Sequence, residues 1–446
     1  MSKLAHAQWS SKMTFVLAAA GSAVGLGNIW RFSYMVGDSG GAAFVLVYLI
    51  CVAVVGMPIL VAEWLIGRRA QKNPVNAMAE LAGRSGQPRA WALLGASGIL
   101  AAFLILSFYS VIGGWSLSYT LNSVIGTFTG QDADGVGAIF GNLLASPGVL
   151  LLWHTAFMAL VVWIVARGVT KGLEGAVRTM MPALVVLMLV LVGYGMTTGH
   201  FGEALAFMFR PDWSALTGGV VLAAMGQAFF TLSLGMGIMM AYGSYLGEDV
   251  KLLGTARTVI ILDTVIALLA GLAIFPIVFA NGLSAGEGPG LIFVTLPLAF
   301  GNMTGGTVLG LMFFLLLTFA ALTSAISLLE PVVEFVEERT PLTRVMATLA
   351  GGVAVWALGI AALMSFNVWD VPVLFGLNVF DLLDTFTSKI LLPLTGLGAI
   401  VFVAWCLERK SVADELNLAG GAEKLWHLVA RYVAPIGVVL VFVSSL

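Results

Sequence analysis

Gly21-Ser22-Ala23-Val24-Gly25-Leu26-Gly27-Asn28 and Ser233-Leu234-Gly235-Met236-Gly237 are two glycine-rich interruptions, each set inside a long apolar stretch. Glycine weakens a helix by up to about 1 kcal/mol relative to alanine. Gly21, Gly25 and Gly27, beside Ser22 and Asn28, therefore predict an unwound segment. Unwinding deep in an apolar run frees carbonyl oxygens and amide hydrogens that hydrocarbon cannot satisfy. A cation can take the carbonyls, and a carboxylate can take the amides at a half-helix N-terminus. A zwitterionic amino acid together with sodium meets both demands. A lone glycine pair would more simply serve close helix packing. Two matched interruptions, the second flanked by Thr231 and Ser233, point instead to a binding site.

The surroundings of these segments decide the solvent. Of 446 residues, 60% are hydrophobic and 10% charged, against about a quarter charged in a soluble domain. Mean hydropathy is +1.02. The apolar runs are continuous, as in Leu150 to Val165, rather than alternating as barrel strands would be. The chain thus reads as an all-α membrane protein. Net charge is −2, which suggests no nucleic-acid partner, and Cys51 and Cys406 both lie in apolar runs where no structural disulfide is expected. His6, His154, His200 and His427 are scattered, with no metal-ligand spacing and no nucleophile beside them, so no enzyme is expected.

A hydrocarbon span needs roughly 20 apolar residues. That ruler predicts eleven transmembrane helices, at about 12–36, 41–67, 91–125, 148–167, 173–197, 214–245, 254–280, 305–337, 342–364, 378–407 and 425–445. The 281–304 connection, apolar but broken by Gly and Pro, reads as a re-entrant or capping outer loop. Lys and Arg gather in one set of loops, with Arg68, Arg69, Arg84, Arg167, Lys171, Lys251, Arg339, Arg409 and Lys424 among them. The opposite loops hold Arg210, and Arg31 and Lys389 fall within spans. The positive-inside rule then puts the N-terminus in the cytoplasm and the C-terminus outside the cell, in a multi-pass protein of the plasma (inner) membrane. One transmembrane domain covers 1–446. Its first repeat runs over about 12–197 and its second over about 214–407, with an extra helix at about 425–445. The interrupted helices 1 and 6 open the two halves, which enter the membrane in opposite directions. This is an inverted five-plus-five repeat, with a binding site expected near the midplane.

The segment from Ala20 to Phe32 resembles the helix 1 signature of the neurotransmitter:sodium symporters. Gln227 to Gly237 resembles their helix 6 signature, and Phe319-Ala320-Ala321-Leu322-Thr323-Ser324 their helix 8 sodium motif. Order and spacing agree over nearly the whole chain. The resemblance, to bacterial amino-acid transporters of the leucine-transporter type, implies two sodium sites. The first would use the Ala23 carbonyl, Asn28, Thr231 and Asp263. The second would use the Gly21, Val24 and Ala320 carbonyls with the Thr323 and Ser324 hydroxyls. Taken singly, those hydroxyls would more often bond back to their own helix.

Asp263 lies inside the apolar run Val259 to Leu272, where a carboxylate is costly and a functional candidate by default. The family usually has Asn at the matching position. Members that need chloride place it there, close to residues matching Tyr48, Gln227 and Thr231. An Asp would supply that charge covalently, so no chloride requirement is expected, and Asp263 could protonate during the return step.

Monoamine-transporting relatives carry an acid in helix 1 where this chain has Gly25, which implies an amino-acid substrate. Its binding residues would be Ser22, Ala23, Leu26, Gly27, Ile105, Tyr109, Phe230, Thr231, Ser233, Met236, Ser324 and Leu328. These favour a neutral, hydrophobic or aromatic amino acid. Tyr109 would bond its carboxylate and, with Phe230, form an aromatic lid. Arg31 and Asp384 would pair outside that lid. On the inner side Trp9 and Tyr245 would plug the path. There His6 replaces the family's arginine, leaving Glu338 or Glu337 to pair with it, or with Lys3 or Lys12. Gly172 and Pro182 match a family pattern that loosens helix 5, a static kink being the alternative. Lys389 has no account, beyond facing water or pairing with Asp381 or Asp384. Two rival functions stand beside sodium-coupled import. One is a proton-coupled transporter using Asp263, and the other is a sensor that binds an amino acid without moving it.

Overall fold

The computed structural model describes residues 8–285 and 290–445. Among these residues the chain is helical, with a single bridge between Leu374 and Leu377 as its extended pairing. Nine helices are long and apolar enough to cross a membrane: Ala42–Ala70, Arg89–Val124, Pro147–Ala166, Val169–Gly195, Leu252–Ala280, Gly306–Arg339, Arg344–Met364, Val379–Cys406 and Gly420–Val443. Lys12–Ala23 and Gly27–Asp38 together make a tenth, bent by 52° where they meet. The expected 214–245 span is divided into Gly218–Thr231 and Ile238–Ser244. Neither piece alone reaches the roughly 20 residues a crossing needs. Both glycine-rich segments are therefore breaks in the helical backbone.

The Gly306–Arg339 helix is the most enclosed of the long helices. At 1.5 Å per residue its 34 residues extend about 50 Å, well beyond a ~30 Å hydrocarbon layer. It packs along Arg89–Val124 and also touches the inner half of the first broken helix. The short Ile238–Ser244 piece is clamped against Ala42–Ala70. A Cβ on Gly67 would fall 1.9 Å from the Met240 carbonyl oxygen, so only glycine permits that approach.

Some helices lie where the hydropathy ruler shows none. Pro74–Arg84 starts with Asn73, whose side chain accepts the Val75 and Asn76 amides. Ala133–Ala145 is capped in the same way by Asp132. Both are too short to span. The 281–304 connection holds an apolar helix, Leu291–Asn302. Its Phe293 packs into a ring cluster with Trp115, Tyr119, Phe140 and Phe314, which suits the capping role expected of it. The last long helix begins at Gly420 rather than about 425, because its first turn is helical but polar.

Candidate functional site

At the first break Lys12–Ala23 ends on Val24, which is extended (φ −72°, ψ 95°). At the second, Ser233, Gly235 and Gly237 all have positive φ, of 53°, 76° and 68°. Buried backbone groups need partners, and side chains supply several. The Ser233 and Ser324 hydroxyls both donate to the Ser22 carbonyl, at 3.0 and 3.1 Å. Gln227 Nε2 donates to the Gly27 carbonyl at 2.8 Å. The Gly235 amide donates to Glu63 Oε1 at 2.8 Å. Glu63 is wholly buried in Ala42–Ala70 and is a residue the sequence reading missed. Its one signal is an acid inside an apolar run.

Between the two breaks lies a small, tightly closed cavity. Of the residues named from the sequence, Ser22, Ala23, Gly27, Ile105, Tyr109, Phe230, Ser233, Met236, Ser324 and Leu328 line it, together with Gly25 and Ile238. Ile238 was missed, since an apolar helical residue carries no signal of its own. Among the described residues no charged side chain lines the cavity. Of the remaining expected residues, Leu26 donates its amide to the Tyr109 hydroxyl at 3.3 Å. Thr231 points away, toward Asp263.

Asp263 is fully buried in Leu252–Ala280 and surrounded by donors. Asn28 Nδ2 donates to Oδ1 at 2.7 Å, and the Thr231 hydroxyl lies 3.1 and 3.2 Å from the two oxygens. The Tyr48 hydroxyl donates to Oδ2 at 3.5 Å. Asn28 Oδ1 accepts the Gly25 amide at 3.2 Å. That orientation leaves its second lone pair free for a cation. Asn28, Thr231 and Asp263 thus form one contiguous group.

In the expected second cation group, both hydroxyls donate to backbone carbonyls. Thr323 Oγ1 donates back to the Phe319 and Ala320 carbonyls, both at 3.0 Å. Ser324 alone reaches the first break. Gly21 faces Val169–Gly195, where a Cβ would meet Met181 at 3.2 Å. That helix runs unbroken from Glu174 to Gly195 through Pro182.

Outside the cavity Phe230 forms a shared wall with a second, outer cavity lined by Arg31, Asp384, Ser388 and Lys389. Among the described residues no ion pair joins Arg31 to Asp384. Arg31 lies over the Phe230 ring at 4.5 Å instead, and Asp384 accepts the Ser388 hydroxyl at 2.8 Å. The two charges face the same open space without meeting across it.

The side that carries Trp9 is closed by packing. Trp9 Nε1 donates to the Tyr242 carbonyl at 3.0 Å, and its ring meets Tyr242 and Tyr245 edge-on. Tyr245 donates to Glu330 at 2.7 Å. Glu330 pairs with Arg344, which also holds Glu337 at 3.0 Å. Glu338 takes another role than the expected gate partner. It accepts the Asn73 amide and side chain at 2.7 and 2.6 Å and the Asn76 side chain at 2.7 Å. It therefore pins the Pro74–Arg84 helix. Lys3 and His6 lie outside the described residues.

Glu330 and Arg344 were missed as a pair. Removing one partner of a buried pair costs about 3–5 kcal/mol, because a bare charge is left behind. Arg344→Ala is therefore expected to lower the thermal unfolding midpoint in detergent markedly, with Glu330→Gln in the same background recovering part of the loss. An unchanged midpoint would show that Glu330 does not depend on the guanidinium.

Two breaks sharing one cavity, with a donor-ringed carboxylate beside it, repeat the pattern of the sequence signatures. The family model for the sodium:neurotransmitter symporter family matches residues 6–134 and 140–446. The chain belongs to that family. It is 38% identical to the uncharacterized sodium-dependent transporter YhdH of Bacillus subtilis, over 100% of this chain and 98% of the relative. An uncharacterized sodium-dependent transporter of Methanocaldococcus jannaschii is 34% identical over 98% of this chain and 89% of its own. The fold is shared with the crystal structure of MhsT in complex with L-phenylalanine. That match has a TM-score of 0.91 and 47% identity, and it covers 99% of this chain and 100% of that one. The protein is thus a sodium-dependent, multi-pass membrane transporter and not an enzyme.

Proposed function

We propose that this transporter is a symporter importing a neutral, hydrophobic amino acid, aromatic or aliphatic, by alternating access and without chloride. The carrying observation is the cavity. It lies where the two broken helices meet, Tyr109 and the unwound backbone at Gly25 and Gly27 lie along it, and among the described residues no charged side chain lines it. A ligand entering it must be small and zwitterionic at one end and uncharged at the other. MhsT, similar over its whole length, holds L-phenylalanine.

Two sodium ions would accompany the substrate. One would sit with Asn28, Thr231, Asp263 and the Ala23 carbonyl. The other would use the Gly21, Val24 and Ala320 carbonyls with Thr323 and Ser324. Hard oxygen donors suit an alkali cation. Counting Gly218–Thr231 with Ile238–Ser244 as one crossing gives eleven helices, in two inverted halves of five plus one. The cytoplasmic N-terminus and extracytoplasmic C-terminus in the inner membrane follow from the Lys and Arg asymmetry. With Trp9 seated and the outer cavity reaching Phe230, the inner path is closed and the aromatic lid lies over the site. Because binding free energies are reciprocal, substrate and sodium must raise each other's affinity by the same factor.

Proteoliposomes carrying an inward sodium gradient are expected to accumulate labelled phenylalanine or leucine. Replacing sodium by choline at fixed pH should bring uptake to background. Accumulation driven by a proton gradient in choline would replace this reading with the proton-coupled one. Binding without counterflow of labelled amino acid would replace it with a sensor.

A further inference from the structure

Arg431 lies inside the membrane-crossing helix Gly420–Val443. It sits on a π-helical turn, Val429–Val433. Its guanidinium carbon lies 4.1 Å from the centre of the Trp405 ring and 5.8 Å from that of Tyr432. Trp405 Nε1 donates to the Arg431 carbonyl at 3.2 Å, which fixes the indole against that turn. Arg431 also donates through Nη1 to His427 Nε2 at 3.4 Å. Its Nε is buried without an acceptor. Among the described residues no carboxylate forms an ion pair with it. Glu423 is held by Arg409 at 2.8 Å, and Glu415 by Arg68 and Arg69.

A charge at such a depth needs a counter-charge or a route to water. Arg431 is seven residues past Lys424, about 10 Å along the helix, so its stem can carry the head back toward the interface. Trp405, one residue from the end of Val379–Cys406, marks that level, and Trp and Tyr rings favour the boundary between lipid and water. Trp405 and Tyr432 are about half exposed, and Leu425, Leu428 and Ile436 on the same helix are exposed. The surface around the guanidinium therefore faces acyl chains. Arg409, Lys410 and Lys424 lie in the same stretch of chain, interspersed with Glu408, Asp414, Glu415 and Glu423.

We propose that Arg431, fixed between aromatic rings and beside His427, holds the phosphate of an anionic phospholipid in the leaflet nearest the 407–419 connection. The acyl chains would run over Leu428 and Ile436. A zwitterionic headgroup would bring its ammonium beside a guanidinium that no described carboxylate pairs with, so the site favours a net negative lipid. A planar guanidinium braced on an aromatic face is pre-organised for phosphate oxygens. The proposal is independent of the transport reading, because its test needs neither sodium nor amino acid.

The test uses the full chain in nanodiscs of phosphatidylcholine doped with phosphatidylglycerol, released and weighed by native mass spectrometry. Wild type is expected to retain one phosphatidylglycerol in preference to phosphatidylcholine. Arg431→Gln should reduce that retention roughly fivefold, the effect of one interfacial cation on an anionic surface. Arg431→Lys should fall between them, because it keeps the charge and loses the planar stack. If Arg431→Gln aggregates, Trp405→Ala removes the brace and should lower retention in the same direction. Equal retention by wild type and Arg431→Gln (or Trp405→Ala in its place), or equal retention of the two lipids by wild type, would overturn the proposal. So would full displacement of phosphatidylglycerol by inorganic phosphate alone, which would mark a free-anion site.

Discussion

Gly25→Ala is expected to abolish amino-acid binding while leaving the fold intact. A Cβ at this position would fall 2.3 Å from Ser324 Oγ and 3.1 Å from the Tyr109 hydroxyl. The first distance is far inside contact, so one of the two must move. Neither is free to do so. Ser324 holds the Ser22 carbonyl, and Tyr109 holds the Leu26 amide. Displacing either one shifts the unwound segment that frames the cavity. Overpacking of this kind costs about 1–3 kcal/mol in stability, which a protein of this size survives. A misplacement near 1 Å at a binding constellation can cost roughly a hundredfold in function. Binding of labelled phenylalanine at saturating sodium should therefore fall by about that factor. Gly226→Ala is the matched control. It lines the neighbouring outer cavity, and an added Cβ there meets nothing within 4 Å. It should bind like wild type. Undiminished binding by Gly25→Ala would mean that the ligand does not sit between the two breaks.

The breaks were legible because glycine density reports backbone freedom directly, and hydrocarbon gives unwound backbone few uses. The cavity lining followed from the breaks and from the match of signatures. Asp263 stood out because an acid in an apolar run is costly wherever its partners are. The same argument should have raised Glu63 and Glu330, which lie in apolar runs just as deep. Glu63 is met by the Gly235 amide at the second break, and Glu330 by an arginine at the head of the next helix. Neither leaves a mark at fixed sequence spacing. Charge complementarity suggested that Arg31 and Asp384 would pair, but it carries no distance. Across an outer cavity Arg31 finds the face of Phe230 instead. Glu338 shows the reverse case. A charge near the expected inner gate turned out to hold the Pro74–Arg84 helix, a helix too short and polar for hydropathy to reveal.

Asp263→Asn is expected to turn chloride-independent transport into chloride-dependent transport. Every group that faces the carboxylate donates to it: Asn28 Nδ2, the Thr231 hydroxyl and the Tyr48 hydroxyl. An ionised carboxylate accepts on both oxygens. An asparagine would keep one acceptor and turn an NH₂ toward donors, leaving a buried mismatch of about 1–3 kcal/mol. It would also remove the negative charge beside the proposed first sodium. A halide is an acceptor from every direction and restores that charge. Uptake by the variant should then fall roughly tenfold or more in chloride-free gluconate, as the mismatch implies, and recover in part when chloride is supplied. Wild type should be indifferent to the exchange. Equal uptake by the variant in both media would mean that the Asp263 charge is not used, and a chloride requirement in wild type would mean that it is not enough. The same pair of proteins separates the proton-coupled reading. If Asp263 carried the proton, the asparagine variant would lose proton-driven uptake in either medium and chloride would restore none of it, because chloride supplies charge but cannot take up and release a proton in its place.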